Sequence, residues 1–473
     1  MQKYRQVSGG NCQLVLYRES KAGVPDPADA GVVLSLYSES MSVESNKQAS
    51  AVISGVRGQG KPVPGVPNYP GSLEVPPYAP QLGHFLRALC GAPSTTVTVP
   101  ATLAEEAVTD EGMGYVGLAV MAHDFVQDTM VTITGTVNYD GAYRLEYGTT
   151  STKLVIKALY VPETISAGGQ VHRGRGAFLA GVAEDLGSGR VALPVAGLGV
   201  ALNAGESVII SGGTVYDGTY VLQSGTSSRK LVIAAAFVEE TFTGTSCALP
   251  IFYRHEFNLP LTQPTFCIQK KFDYEAGASA NPYTVIRSNK LNGLNFSFGG
   301  QSEVRLKLEC SVGSVDNTST PVSTVKPATL PAVPFYDKEV AVWINEMRAG
   351  DVETGDISLA YGVEGKVAVG DMGKRSRQPE GDPTTTLTLT CFLEHDEYQQ
   401  LADSAATIPV AISMSGANGE EFWITLPESE LDMGGAQISS KGGLTVQVKA
   451  IGFVEMADTS SRYTLINRVS SYA

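Results

Sequence analysis

Residues 54–91 read SGVRGQGKPVPGVPNYPGSLEVPPYAPQLGHFLRALCG, and they contain three structural signals in succession. The Gly- and Pro-rich part, 56–70, predicts a loop, because turn residues interrupt any helix or central strand there. Leu73 and Val75 alternate with polar residues and predict a short strand with one buried face. A helix is expected to follow, with Pro80 in its first turn. Its apolar stripe consists of Leu82, Phe85, Leu86 and Leu89.

The same order of loop, strand and helix returns over residues 370–405. A shift of 316 positions superposes the two strands and the two helix stripes. The stripe of the second helix then consists of Tyr398, Leu401, Ala402 and Ala405. Few residues are identical, but the agreement in order and helical phase indicates two copies of one structural unit.

The end of each copy repeats at a different shift, 140 positions. Residues 294–310 and 435–450 both alternate apolar and polar residues around a turn, and both predict hairpins. The matching apolar positions are Phe296, Phe298, Val304, Leu306, Leu308 and Cys310 in the first copy and Ala436, Ile438, Leu444, Val446, Val448 and Ala450 in the second. Because the two shifts differ by 176, the first copy is predicted to carry an insertion of that length.

The predicted insertion is itself a tandem repeat. Residues 131–164 align without gaps on 208–241 at a shift of 77, with 19 identities in 34 positions. Each repeat has a Tyr-Asp-Gly turn between two extended runs, which is a strong hairpin signal. The insertion therefore predicts two small β modules.

These repeats predict a mainly β protein. We expect two β-sandwich or barrel domains, each with one short α-helix, and two small inserted β-barrel or sandwich modules. A segment rich in Pro, Ser and Thr is expected to be an extended linker. The predicted boundaries are 1–100 with 247–313 for the first domain, 101–170 and 171–246 for the modules, 314–334 for the linker and 335–473 for the second domain.

Composition argues against several classes of function. The net charge of −14 argues against a surface that grips nucleic acid, which requires a basic footprint. The first residues lack the apolar core of a signal peptide, and no run approaches the ~20 apolar residues of a membrane span. The six scattered cysteines favour reduced thiols in the core.

No motif predicts catalysis or cofactor binding. The segment GVRGQGKP, 55–62, resembles a phosphate loop, but proline follows its lysine where a hydroxyl residue is required. The five histidines are dispersed, and none has a partner at metal-ligand spacing. His84 and His395 are expected to be exposed or to cap the helices. We therefore predict no catalytic residues, no metal and no cofactor.

Cationic residues recur in both copies of the loop that precedes the strand and helix. They are Arg57 and Lys61 in the first copy and Lys374, Arg375 and Arg377 in the second. In an acidic chain, such loops are either merely solvated or dock on an acidic surface of a neighbouring molecule. The second interpretation makes them candidate contacts between stacked rings.

Two segments together resemble one protein family. The segment PGSLEVPPYAPQLGHFLRALCG, 70–91, combines a Gly-Ser-apolar-Glu strand with an apolar helix that ends in Gly, and NKLNGLNFSFGG, 289–300, begins a closing hairpin. Both are similar to segments of the tail tube proteins of phages with long, non-contractile tails. The likeness covers about 31–91, 253–313 and 335–455. The duplication and the tandem insertion depart from the family pattern.

The resemblance implies a structural virion protein that polymerises into a hollow tail tube, assembled in the host cytoplasm and free of membrane. Its partners would be further copies of itself, the tape-measure protein and double-stranded DNA in the lumen, and the tail terminator and distal tail proteins. Six domains close a ring in single-domain members, so a chain with two domains implies trimers with pseudo-six-fold symmetry. The alternatives are a ring-forming baseplate or hub protein, a secretion-system tube component and, in a third class, an enzyme or a carbohydrate-binding adhesin.

Overall fold

Strands dominate the computed structural model, and the prediction of a mainly β fold with two short helices is confirmed for the described residues. The structure describes residues 10, 12–44, 46–50, 60–64, 67, 69–196, 202–274, 279–299, 304–367, 375, 377–393, 396–434 and 444–472. The contacts divide the chain into two units. Unit 1 comprises 1–93, 257–412 and 424–463, and unit 2 comprises 94–256, 413–423 and 464–473.

The elements follow one another in four groups along the chain. The first group is β1 Gln13–Lys21, β2 Val24–Pro25, β3 Val32–Val33, β4 Ser38–Glu39, β5 Lys47–Ser50, β6 Gly60–Pro64, β7 Ser72–Val75, α1 Ala79–Cys90 and β8 Ser94–Val97. The second group is β9 Ala101–Thr102, β10 Thr109–Gly112, β11 Tyr115–Ala119, β12 Met130–Thr134, β13 Gly141–Arg144, β14 Lys153–Lys157, β15 Gln170–Arg173, β16 Ala177–Val182, β17 Glu184–Gly187, β18 Arg190–Pro194, β19 Ser207–Ser211, β20 Gly218–Val221, β21 Lys230–Ala234 and β22 Thr241–Pro250.

The remaining groups lie after the inserted region. The third group is β23 Tyr253–Asn258, β24 Phe266–Lys271, β25 Tyr283–Gly299, β26 Arg305–Ser311, β27 Ser314–Thr318 and β28 Ala328–Thr329. The fourth group is a 3-10 turn Asp337–Glu339, β29 Val340–Ile344, β30 Met347–Ala349, β31 Val352–Ala360, β32 Thr384–Phe392, α2 Glu397–Asp403, β33 Ile408–Ser415, β34 Glu421–Met433, β35 Thr445–Gly452 and β36 Arg462–Asn467.

The first helix has the predicted limits, and the second is shorter than predicted. Ten of the twelve residues of α1 are buried, and Gly91 ends it with a φ of 86°. In α2 only Tyr398 is buried. The expectation that Ala405 lies on the stripe of this helix is wrong, because the helix ends at Asp403 and Ala405 turns to a positive φ.

Unit 1 contains one antiparallel sheet that runs through both predicted copies. The strand order is β4, β7, β26, β25, β31, β32, β35 and β34. We call β4, β7, α1, β25 and β26 the first set, and β31, β32, α2, β34 and β35 the second set. Their inner faces hold the buried alternate residues of each strand, as period-two alternation predicts.

The two sets repeat the same strand register at the shifts seen in the sequence. Ser38 pairs with Glu74 in the first set. Thr354 and Thr390, which lie 316 positions after Ser38 and Glu74 respectively, pair with each other in the second set. Leu308 of β26 pairs with Leu73 of β7. The corresponding pair of the second set joins β35 to β32, and its residues lie 140 positions after Leu308 and 316 positions after Leu73. A slip of one residue would turn every side chain of a strand to the other face of the sheet. The agreement in register is therefore strong structural evidence that the two sets are related.

A bulge distinguishes the two closing hairpins. The register of β25 shifts between Leu291 and Gly293, so that Leu294 stands opposite Leu308. The pairing of β34 with β35 has no such shift, and Met433 stands opposite Val448. Met433 is therefore the structural counterpart of Leu294. The predicted hairpin positions Ala436 and Ile438 lie outside the described residues.

The two sets meet where β25 pairs with β31 over seven residue pairs. Leu294 and Leu359 are opposite each other and are both buried. Gly355 lies directly under the Phe298 ring, so that a Cβ at this position would come within 2.2 Å of the ring. We call this pairing the intrachain joint.

The predicted linker is largely held against unit 1. Its first residues form β27, which pairs with β25, and β28 pairs in parallel with β3. The Val333 carbonyl then accepts a hydrogen bond of 3.0 Å from the Ala79 amide at the start of α1. This segment therefore covers the first set before it enters the second.

The inserted region of unit 2 contains two hydrophobic cores, one for each sequence repeat. Val131 pairs with Tyr143, and Val208 pairs with Tyr220, at the shift of 77. In each module the hydroxyl of the turn tyrosine, Tyr139 or Tyr216, both donates to and accepts from the backbone 22 residues later. The last strands end at 173 and 250, which is three and four residues beyond the predicted limits 170 and 246.

Replacing Gly355→Ala is expected to lower the free energy of unfolding by about 1–3 kcal/mol, because the new methyl group would overlap the Phe298 ring and overpack the intrachain joint. Urea denaturation of the full chain measures the loss. Gly350→Ala is the matched control, since no atom lies within 4 Å of its Cβ position. An equal loss in both variants would contradict the tight packing of the joint.

Candidate assembly surfaces

The outer face of the unit 1 sheet is polar along both sets. Its strands alternate buried apolar residues with half-buried or exposed polar ones. Half of the polar side chains named here are short and uncharged: Ser72, Asn295, Ser297, Thr354, Ser358, Thr386, Thr388 and Thr390. The charged ones are Glu74, Arg305, Lys307, Glu309, Asp356, Glu430, Asp432 and Lys449. We call this surface the polar face.

Each cation of the polar face lies beside an acid. Arg305 donates to Glu74 at 2.8 Å and holds the pKa of that carboxyl below its usual value. Lys307 is 3.5 Å from Glu309, and Lys449 stands opposite Asp432 in the strand register, without an ion pair between them. The polar face therefore offers hydroxyls and cations with acids next to them rather than a basic track.

One carboxylate links the two sets on the polar face. Asp356 of β31 accepts hydrogen bonds of 2.9 and 3.1 Å from the Asn295 amide and of 2.7 Å from the Ser297 hydroxyl, both on β25. These bonds add side-chain contacts to the backbone ladder of the intrachain joint. The sequence analysis missed Asp356, because its partners are about 60 residues distant and no local pattern announces them.

The sheet has two strand edges for which the described residues supply no partner. β4 pairs with β7 on one side only. At the other end, residues 431–433 pair with β35. β33 begins at Ile408, whose carbonyl accepts a hydrogen bond from the Ser429 hydroxyl of β34, two residues before this edge. These two edges correspond in position to the two strands of the intrachain joint.

The predicted stacking residues have different surroundings. Arg57 and Lys374 lie outside the described residues, and the backbone of Lys61 belongs to β6, which pairs with β5. The Arg375 guanidinium packs 5.4 Å from the centre of the Tyr69 ring. Arg377 is exposed and forms a backbone bridge with Lys366. Of the described side chains in this group, only that of Arg377 is exposed.

Unit 2 contains a buried ionic cluster. Glu421 and Arg173 are each 2% exposed and lie 2.5 Å apart, and Glu421 also accepts from the Thr129 hydroxyl at 2.6 Å. Arg468 contacts Glu206 at 2.7 Å and Glu420 at 3.0 Å. These pairs connect the two inserted modules to residues 413–423 and 464–473 of the same unit. Sequence reasoning missed them, because the partners are 48 to 292 residues apart.

Histidines and cysteines contribute mainly to packing. His84 is half-buried, contrary to the expectation that it is exposed or capping, and burial lowers its pKa to about 4. His395 lies outside the described residues. Five cysteines are buried, and Cys12 is exposed. Within the described part of the chain, no three His, Cys, Asp or Glu side chains are placed to hold a metal ion, and no helix is long and apolar enough to cross a membrane.

Comparison with known proteins agrees with these surfaces. No curated protein matches the sequence. The model of a protein family described as phage tail tube protein matches residues 9–451, which is most of the chain. A long polar sheet whose two edges have no partner among the described residues suits a subunit that pairs with others to close a hollow polymer. The chain therefore belongs to the family of phage tail tube proteins.

Proposed function

We propose that this tail tube protein forms trimeric rings that stack into the tail tube of a phage with a long, non-contractile tail. Each chain supplies two copies of one tube domain, related by duplication, and three chains complete a ring with pseudo-six-fold symmetry. The observation that carries the proposal is the intrachain joint, in which the first set pairs with the second as neighbouring subunits of a ring would.

The same joint can be formed between chains. The counterpart of Leu359 in the first set is Val43, and the counterpart of Leu294 in the second set is Met433. Val43 is 42% exposed, and Met433 is half-buried. Pairing the edge at β4 with the edge at 431–433 of another chain would bury both side chains, as Leu294 and Leu359 are buried within one chain.

Closure by this pairing removes every open edge of the sheet. Eight strands per chain give a barrel of 24 strands for three chains. At the usual strand spacing and tilt, such a barrel is on the order of 45 Å across between backbones. That width leaves an aqueous channel considerably larger than those of 16–18-stranded porins.

The polar face is the surface that would line this channel. Because Arg305 and Lys307 are paired with acids and acidic side chains outnumber basic ones, it offers few free cations to bind phosphate and release counterions. Short hydroxyl side chains present a surface past which double-stranded DNA and the tape-measure protein can move during ejection. This role needs no catalysis, and assembly would take place in the host cytoplasm, with the tail terminator and distal tail proteins at the tube ends.

A cysteine pair tests the joint between chains. In a Cys12→Ser background, Val43→Cys combined with Met433→Cys is expected to form a disulfide in assembled tubes, because directly opposed antiparallel residues have suitable Cα separations. Denaturing gels without reductant should show species up to three linked chains. Val43→Cys with Ile451→Cys, which lies on the polar face away from the edge, is the matched control.

Two outcomes would contradict the proposal. Linked species of up to six chains would mean that a ring contains six chains. Absence of the disulfide in well-formed tubes would mean that the two edges do not meet. A baseplate hub or secretion-system tube component would instead give discrete rings, which negative-stain microscopy of the same preparation distinguishes.

The cationic loops are proposed to mediate stacking, with Arg377 as the described side chain that faces solvent. Arg377→Glu is expected to leave rings intact and to shorten tubes, because like charges would meet at the ring boundary. One exposed pair contributes only ~0.2–1 kcal/mol, but a ring repeats it. Tube length by electron microscopy is the measurement. Arg229→Glu, an equal charge change on an inserted module, is the control, and tubes of normal length from Arg377→Glu would refute the role.

The inserted modules are proposed to decorate the outside of the tube, since a channel sized for DNA has no room for three pairs of them. Replacing residues 103–246 by a short linker is expected to leave assembly intact and to reduce the outer diameter. The deletion removes Arg173, and a buried carboxylate left without its cation costs about 3–5 kcal/mol. The deletion should therefore carry Glu421→Gln, with Glu421→Gln alone as control. A folded deletion variant that forms no tubes would contradict a peripheral position.

A further inference from the structure

A groove lies beside α2 of the second set. The hairpin of β29 and β30 and one side of α2 enclose a cavity of about 210 Å³. Its apolar wall includes Ile344, Met347 and Leu401, and Met347 is 56% exposed. At its base the Tyr398 hydroxyl donates to Asp351 at 2.7 Å, and Asp351 is only 6% exposed. We call this cavity the α2 groove.

The corresponding side of α1 is covered in the first set. The chain preceding β29, residues 328–335, pairs with β3 and then accepts the Ala79 hydrogen bond at the first turn of α1. Phe335 at the end of this segment is buried. The difference agrees with the burial of the helices, because ten residues of α1 are buried and only one of α2.

The segment that would cover α2 can be identified from the connectivity. β1 and β29 are the first strands of similar hairpins, which turn at Lys21 to Val24 and at Ile344 to Met347. The offset between these turns is 323 positions, so residues 328–335 before β29 correspond to residues 5–12 before β1. Within one chain, residues 328–335, which precede β29, cover α1 of the first set.

We propose that residues 5–12 of a second copy of this chain occupy the α2 groove, as residues 328–335 cover α1 within the chain. This inference rests on the proposed ring, in which the second domain of one chain precedes the first domain of the next. Residues 5–9 and 11 lie outside the described residues, and their sequence provides Val7 for the apolar wall of the groove.

Charge complementarity supports this occupant. Asp351 and Glu397 line the groove together with Arg348, and the exposed Glu346 and Asp396 lie next to it in sequence. The N-terminal part of the chain carries Lys3 and Arg5 and has no acid before Glu19. A basic segment that brings one apolar side chain therefore matches a groove with an apolar wall and an acidic rim.

Disulfide trapping tests the occupant directly. In a Cys12→Ser background, Val7→Cys with Leu401→Cys is expected to link neighbouring chains in assembled tubes. Val7→Cys with Leu261→Cys, a fully exposed position of unit 1, is the matched control and should give no specific product. A link within one chain, recognised as a monomer of altered mobility, would overturn the proposal, and so would the absence of any link in assembled tubes.

A second measurement covers the case in which Leu401→Cys disturbs α2. The single thiol of Met347→Cys, also in the Cys12→Ser background, should lose reactivity towards a maleimide when tubes assemble. It should keep that reactivity in tubes of a variant that lacks residues 2–9. Equal reactivity in assembled and unassembled protein would overturn the proposal.

The Val43–Met433 cysteine pair separates this inference from the proposed ring. If that pair links chains and the Val7–Leu401 pair does not, the ring stands and only the occupant of the α2 groove is wrong. If neither pair links chains in assembled tubes, the order of domains in the proposed ring fails together with this inference.

Discussion

The pairing of β25 with β31 is the constraint on which the rest of unit 1 depends. Seven backbone residue pairs join the first set to the second, and the Phe298 ring fits over Gly355 on the inner side. On the outer side, Asp356 binds Asn295 and Ser297. Because this pairing fixes the register of both sets, it turns two short sheets into one long polar surface. It also leaves the matching edges, β4 and 431–433, at the two ends of that surface.

Charges have different roles in the two units. On the polar face, the side chains of Arg305 and Lys307 are more than half exposed. Exposed ion pairs of this kind contribute little to stability. Their acids offset the positive charge of Arg305 and Lys307 on this surface. In unit 2, Arg173 and Glu421 are fully buried, and removing one partner would leave an uncompensated charge. These buried pairs hold the modules to residues 413–423 and 464–473, which the predicted boundaries had assigned to the second domain.

The inserted modules show how closely one pattern can repeat. The same strand pairs form in both modules at a shift of 77. In each module the hydroxyl of the turn tyrosine forms hydrogen bonds with the backbone carbonyl and amide of one valine, Val161 or Val238. Glu163 and Glu240 then accept from backbone amides of the preceding turn. The identity of the turn tyrosine and of the glutamate in the two repeats therefore has a local structural reason.

The sequence by itself determined the elements whose signals are local. Alternation placed Leu73 and Val75 in a strand, the apolar stripe and Gly91 defined α1, and the repeat shifts indicated two copies of one unit. These features depend on neighbours within one turn, one strand or one hairpin. The short α2 was predicted less well, because its last stripe position, Ala405, lies in a turn that overrides the helical period.

Only the tertiary structure decided which distant elements meet. The partners of Asp356, the buried contact of Arg173 with Glu421 and the stacking of Arg375 on Tyr69 join residues tens to hundreds of positions apart. Local periodicity and spacing do not encode such contacts. The interaction energy of a buried ion pair or of two joined strands arises only when folding has buried both partners next to each other. The same reason explains why the sequence indicated two copies of a unit, whereas the joint between them emerged only from the folded chain.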